Sequence, residues 1–119
     1  MLDLVTGRTR ALDNSGGACW PAWSPDGQSI ASVLLATEPS TIQVRRANGG
    51  GARTVRGDVS RWHYYPEWSR DGRLLVMSVS PAHHDGEDWD LAVVAPDDSR
   101  PYQRLTTGPG NDRLPDWKP

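Results

Sequence analysis

The stretch Pro21-Ala22-Trp23-Ser24-Pro25-Asp26-Gly27 recurs 45 positions later as Pro66-Glu67-Trp68-Ser69-Arg70-Asp71-Gly72. It starts again at Pro115-Asp116-Trp117-Lys118-Pro119, with Trp117 49 positions after Trp68. An apolar run follows each of the first two copies, at 30–35 and 74–79. A loop comes next, then a short alternating segment: Ile42-Gln43-Val44 and Leu91-Ala92-Val93. These segments lie 49 apart, so the four extra residues of the second unit fall in the loop 81–88. Loops absorb insertions that paired strands cannot. Self-similarity at such a period is the mark of a repeat architecture.

Each unit reads as four short strands, A to D. Strand A ends at the tryptophan. Ser24-Pro25-Asp26-Gly27 is a tight turn in which Pro presets φ, Asp suits the next position and Gly supplies the left-handed residue. Ser69-Arg70-Asp71-Gly72 replaces the Pro by Arg and keeps the rest. Strand B is expected over 28–35 and 73–80, strand C over 41–46 and 90–95, and strand D over 53–56 and 102–106. Leu2-Asp3-Leu4 and residues 9–12 fit strands C and D of an earlier unit. The expected division is therefore 1–13, the end of a blade; 18–58 and 61–107, full blades; and 110–119, the first strand of another. Four antiparallel strands every 40–50 or so residues predict an all-β fold of propeller blades in an incomplete ring.

Composition agrees. The longest stretch without Gly or Pro is 28–38, too short for an all-helical fold. A net charge of −2 gives no basic surface for nucleic acid. The single cysteine, Cys19, excludes an intrachain disulfide and a four-cysteine zinc site. No apolar run reaches the ~18 residues of a membrane helix, and the N-terminus lacks the pattern of a signal peptide. Membrane insertion is not expected.

The two Pro-x-Trp-Ser-x-Asp-Gly motifs, together with Leu105-Thr106-Thr107-Gly108-Pro109-Gly110-Asn111-Asp112-Arg113-Leu114-Pro115-Asp116-Trp117, resemble the TolB-type, WD-repeat-like β-propeller family of bacterial type. The resemblance covers nearly the whole chain. It implies fold more than function, since such repeats serve translocation accessories and peptidases alike. The departures are Arg70 in place of Pro, Ser32 in strand B and the missing Asp-Gly after Pro119.

The motif residues Pro21, Trp23, Ser24, Asp26, Gly27, Pro66, Trp68, Ser69, Asp71, Gly72, Pro115 and Trp117 read as structural, with Trp23 and Trp68 in equivalent buried places. The chain has no Phe, so Trp carries the aromatic packing. Trp20, Tyr65 and Leu114, just before the prolines, form a second packing column. Blade geometry sends the D–A and B–C connections to one face. That face gathers the candidate binding residues: Trp62, His63, His83, His84, Asp85, Glu87, Asp88, Asn111 and Asp112. A rigid scaffold presenting loops is the usual setting for binding.

No metal site is expected. Adjacent His83 and His84 would point apart on a strand, and Asp85-Gly86-Glu87-Asp88 lacks the ligand spacing of an EF-hand. No catalytic residue is assigned, since the Gly-x-Ser-x-Gly elbow is missing and Ser24 and Ser69 sit in repeated turns. Cys19 and His63 are possible neighbours across blades, with packing the expected role of the cysteine. Arg45, Arg46, Arg53, Arg56 and Arg61 are expected on a solvated outer edge.

The resulting expectation is a non-catalytic binding module without cofactor, taking a protein or peptide partner. It would be part of a larger propeller protein or would self-associate to close a ring. The alternative is the substrate-gating propeller of a prolyl oligopeptidase-like serine peptidase. A third reading is a metal-dependent propeller lyase using the histidine face. A TolB-like parent would be periplasmic; the alternative compartment is the cytoplasm.

Overall fold

The computed structural model describes residues 4–9, 17–55, 57–83 and 87–117. Among the described residues, eight strands form two separate four-stranded antiparallel sheets. The first sheet runs β1 (Ala18–Trp23), β2 (Ser29–Leu34), β3 (Thr41–Arg46), β4 (Arg53–Thr54), in that spatial order. The second runs β5 (Trp62–Trp68), β6 (Leu75–Ser80), β7 (Asp90–Val94), β8 (Gln103–Arg104). Each strand pairs with the next in sequence, as a meander of propeller blades requires. No helix is present among the described residues, so none is long and apolar enough to cross a membrane.

The motif turns are superimposable in their bonding. In the first, the Gly27 N–H donates to the Ser24 carbonyl (2.9 Å) and the Ser24 hydroxyl to Asp26 Oδ1 (2.6 Å). Asp26 Oδ1 also accepts from the Gln28 N–H, and Ser24 Oγ from the Ser29 N–H, both at 2.9 Å. The second turn repeats every bond through Ser69, Asp71, Gly72, Arg73 and Leu74. Gly27 and Gly72 hold φ of 70° and 72°. Ser and Asp thus bond each other and the backbone, and the residue between them, Pro25 or Arg70, is free to vary.

The blades share one core. Ala31, Val33 and Ile42 of the first meet Leu75, Met77, Val79, Ala92 and Val94 of the second. Tyr64 and Trp89 fill the inner end, both fully buried. Polar ties join each unit to the one before it. The Trp68 indole N–H donates to the Ala22 carbonyl at 3.0 Å, and that of Trp117 to the Glu67 carbonyl at 3.3 Å. Ala22 and Glu67 are the residues just before the previous tryptophan, so one bond repeats from unit to unit. The expectation of equivalent buried places for Trp23 and Trp68 is not met: Trp68 is half-buried and Trp23 is 51% exposed. Burial of a motif tryptophan comes from the preceding blade, and no described segment stands there.

Two further expectations are corrected, and a third falls mostly outside the described residues. Strand D is only two residues long in each blade, although the Val55 and Leu105 N–H groups still bond back to the Ile42 and Leu91 carbonyls. Residues 111–117 make no ladder; Leu114 is held by its N–H on Ser78 Oγ (3.0 Å) and Trp117 by its indole. In the N-terminal unit, residues 1–3 and 10–16 lie outside the described residues, and 4–6 form a turn. The column Trp20, Tyr65 and Leu114 shares left-handed φ of 49°, 54° and 58°. In β1 and β5 this conformation accompanies a register shift, between Cys19 and Ala22 and between Tyr64 and Glu67.

Candidate functional site

The β6–β7 loop and the start of β5 meet because Trp62 pairs with Ser80, the last residue of β6. His83 therefore lies edge-on against Trp62, with ring centroids 4.9 Å apart. Tyr64 is two residues along β5 on the same side, 6.4 Å from His83 and 5.4 Å from Trp89. Tyr65 lies 6.0 Å from Trp89 and 4.9 Å from Trp20. An aromatic chain thus runs from exposed Trp20 through the buried seam to exposed His83. Edge-to-face pairs each contribute ~0.5–1.5 kcal/mol beyond area burial.

The link into the next unit closes over this cluster. Asn111 Oδ1 accepts the N–H groups of Asp88 (2.8 Å) and Trp89 (3.3 Å). The Asp112 N–H donates to the Trp89 carbonyl at 2.8 Å. The Arg113 guanidinium stands 5.8 Å from the centre of the Trp89 ring, a cation–π distance. Asp88 has a φ of 78°, a left-handed turn that Asp tolerates better than most residues. Asn111 is therefore a clamp between two connections, and it fixes the rim that displays Glu87, Asp88 and Asp112, all exposed. His84 and Asp85 lie outside the described residues.

His63 is drawn elsewhere. It is 4% exposed and belongs to the interblade seam, not to the loop rim. Its N–H donates to Ser40, its Nδ1 lies 3.2 Å from the Ser40 carbonyl, and the Ser40 hydroxyl donates to the His63 carbonyl at 3.0 Å. Gly57 packs directly on the other side of the ring, where a β-carbon would collide with Nε2. The alternation of β5 explains the split: Trp62 and Tyr64 point one way, His63 the other. Burial lowers the His63 pKa and keeps the ring neutral, with the bond to Ser40 as a lesser opposing influence.

Beside His63 runs a polar network without a clear sequence signal. Asp90, 1% exposed, pairs with Arg104, with Arg61 at 3.8 Å and with the Thr106 hydroxyl at 3.3 Å. Arg61 also reaches Asp58 at 3.6 Å. Hydrogen bonds from Ser60 hold the Asp58 carboxyl below its ordinary range, with Arg61 a smaller cause. Tyr102, 6.0 Å from the His63 ring, is pushed up to about 12, chiefly by burial. A buried carboxylate needs paired donors, and two arginines meet that need here. The Cys19 thiol is also pushed up by burial, which makes it a poor nucleophile. Among the described residues, no three His, Cys, Asp or Glu side chains converge to hold a metal ion.

No family model matches the chain. Over 92 residues, 72% of its length, it is 33% identical to a probable dipeptidyl-peptidase 5 of Arthroderma benhamiae and to dipeptidyl-peptidase 5 of Trichophyton equinum. The match spans 12% of the length of these relatives. Among solved structures, putative TolB from Agrobacterium tumefaciens superposes with a TM-score of 0.76 at 22% identity, over 92% of this chain and 40% of that one. TolB from Acinetobacter baumannii gives 0.62 at 23% identity, over 81% of this chain and 23% of that one. A prolyl endopeptidase gives 0.58 at 19% identity, over 92% of this chain and 18% of that one. With two meander sheets, a shared seam and these neighbours, the chain has the fold of consecutive blades of a TolB-type β-propeller.

Proposed function

We propose that the chain is a non-catalytic recognition module whose loop rim, centred on Trp62 and His83, takes a protein or peptide partner. The observation that carries this reading is the clamped rim: Asn111 ties the two connections while His83 and Trp20 stay exposed and Trp62 stands half-buried beside His83. Rigid aromatic anchors with a polar margin are typical of binding surfaces. Selection of peptides from a displayed random library is the test. Recovered peptides should lose affinity for the Trp62→Ala and His83→Ala chains, while Arg100→Ala, far along the β7–β8 turn, leaves it unchanged. Recovery of no peptide sensitive to Trp62→Ala or His83→Ala would refute the rim.

A second reading, the substrate-gating propeller of a serine peptidase, is favoured by the 33% identity to dipeptidyl-peptidase 5. On that reading the same rim would face a hydrolase domain, and this chain alone would turn over nothing. A Gly-x-Ser-x-Gly hydrolase segment in the same reading frame would favour it. Hydrolysis of peptide or ester substrates by the chain itself, lost on changing one Ser or Cys19, would overturn both readings.

A further inference from the structure

At the end of the blades opposite the loop rim, the motif turns and the strand C–D turns border an open cleft of about 720 Å³. Arg45, Arg46 and Arg53 enter it from the first blade, Arg70 and Arg73 from the second. Lys118 is the only lysine of the chain, so its basic charge is almost wholly guanidinium, and these five of its twelve arginines line one cleft. The expectation of a merely solvated outer edge covered only part of this set, because Arg70 and Arg73 come from the other repeat.

The carboxylates of the cleft are already engaged. Asp26 and Asp71 each accept a serine hydroxyl at 2.6 Å and a backbone N–H within their own turns. Asp97 accepts the Ser99 N–H at 2.9 Å. These bonds are the main cause that holds all three carboxyls below their ordinary range, with Arg73 near Asp71 and Arg53 near Asp97 as smaller causes. Arg53 pairs with Asp98 at 2.6 Å, and Arg45 donates to the Gly49 carbonyl at 2.9 Å. The side chains of Arg46 and Arg70 are exposed and make no hydrogen bond or ion pair among the described residues. Pro25, Val44, Trp68 and Pro96 give the cleft apolar surface between the charges.

We propose that this interblade cleft is a second binding site, taking an extended acidic peptide segment of a partner protein. Guanidinium groups bind carboxylates through paired, directional hydrogen bonds. Here they come from β3 and β4 of the first blade and from the motif turn of the second, which suits carboxylates spaced along a chain. The fixed Asp26, Asp71 and Asp97 repel a dense anion and tolerate a spaced one. The apolar patches accept the methylene stems of glutamates.

The probe is a labelled peptide of alternating Glu and Ala, titrated into the full chain by fluorescence anisotropy at low salt. Saturable binding is expected, suppressed by salt because the contacts are exposed. The Arg46→Gln/Arg70→Gln chain should bind about tenfold more weakly, as loss of two charge-assisted contacts implies. Both side chains are exposed, so tryptophan emission should report an unchanged fold; the single Arg73→Gln chain serves if it does not. The Trp62→Ala chain should bind normally, which separates this cleft from the rim. Absence of binding, equal binding of a Gln-Ala peptide, or indifference to the arginine substitutions would each overturn the proposal. Displacement by tripolyphosphate at matched charge would identify a compact-anion site and overturn the peptide assignment.

Discussion

Gly27 and Gly72 show how the motif turns are enforced. Nothing lies within 4 Å of a β-carbon built at Gly27, so a substitution there meets no steric wall. Its cost is the left-handed backbone itself. Gly27→Val should therefore lower stability by more than ~1 kcal/mol, while Gly27→Asn, which visits that region more readily, should cost less; denaturant midpoints check both. His63 predicts a pH dependence. Its folded pKa is lowered by burial, so the unfolded chain binds the proton more readily. The stability it contributes is complete above the unfolded value near 6.5 and drains away as pH falls through the lowered folded value. His63→Gln should flatten that slope in midpoints measured from pH 7 downward. The glycines were legible in the sequence because Asp-Gly after a tight turn has one backbone solution. The positive φ of Trp20, Tyr65 and Leu114 was not. A residue before Pro favours extended backbone; at Trp20 and Tyr65 the left-handed conformation accompanies a register shift in the strand, and Leu114 adopts it without a ladder.

Among the elements, β5 carries the most structural duties. Its alternate residues serve the aromatic rim and the buried seam, and its end supplies the Trp68 tie to Ala22. Trp68→Phe removes that bond and part of the indole's packing and should cost at least the ~0.5–1.5 kcal/mol net worth of a typical hydrogen bond. Trp89→Ala, by contrast, opens a fully buried site and should cost ~3–5 kcal/mol. Thermal midpoints of the two variants should rank in that order. The sequence places Trp89 at the end of a polar loop, and nothing around it signals burial. Its burial follows from Asn111 and Asp112, more than twenty positions away, which fold the next link over it. Asp90 was opaque for the same reason: its arginine partners lie on other strands and connections. The seam thus depends on contacts whose separation in sequence is long, while the turns depend on neighbours.

Taken whole, the two blades stand or fall together, since their core is one cluster drawn from both. Unfolding should be a single transition, with Val33→Ala in the first blade and Val79→Ala in the second shifting it alike; two resolved steps would contradict the shared seam. The faces of the blades are not alike, however. Ser32, Gln43 and Arg45 occupy the ladder positions that Met77, Ala92 and Val94 hold in the second blade. Ser32 and Arg45, with Cys19, Pro21 and Ile30, border a depression on the outer face of the first blade. The repeat offset revealed the blades, but it could not reveal this polarity, because a repeat is recognised by what its copies share. The indole-to-carbonyl ties carry one more implication. Trp68 grips Ala22 and Trp117 grips Glu67, although the intervals in sequence differ by four residues. The spacing of the blades is thus metered by tryptophan contacts and is indifferent to the length of thread between them. The bend at 81–83 is in that sense a cloning site the fold already provides, where foreign sequence could be spliced without changing the pitch of the scaffold.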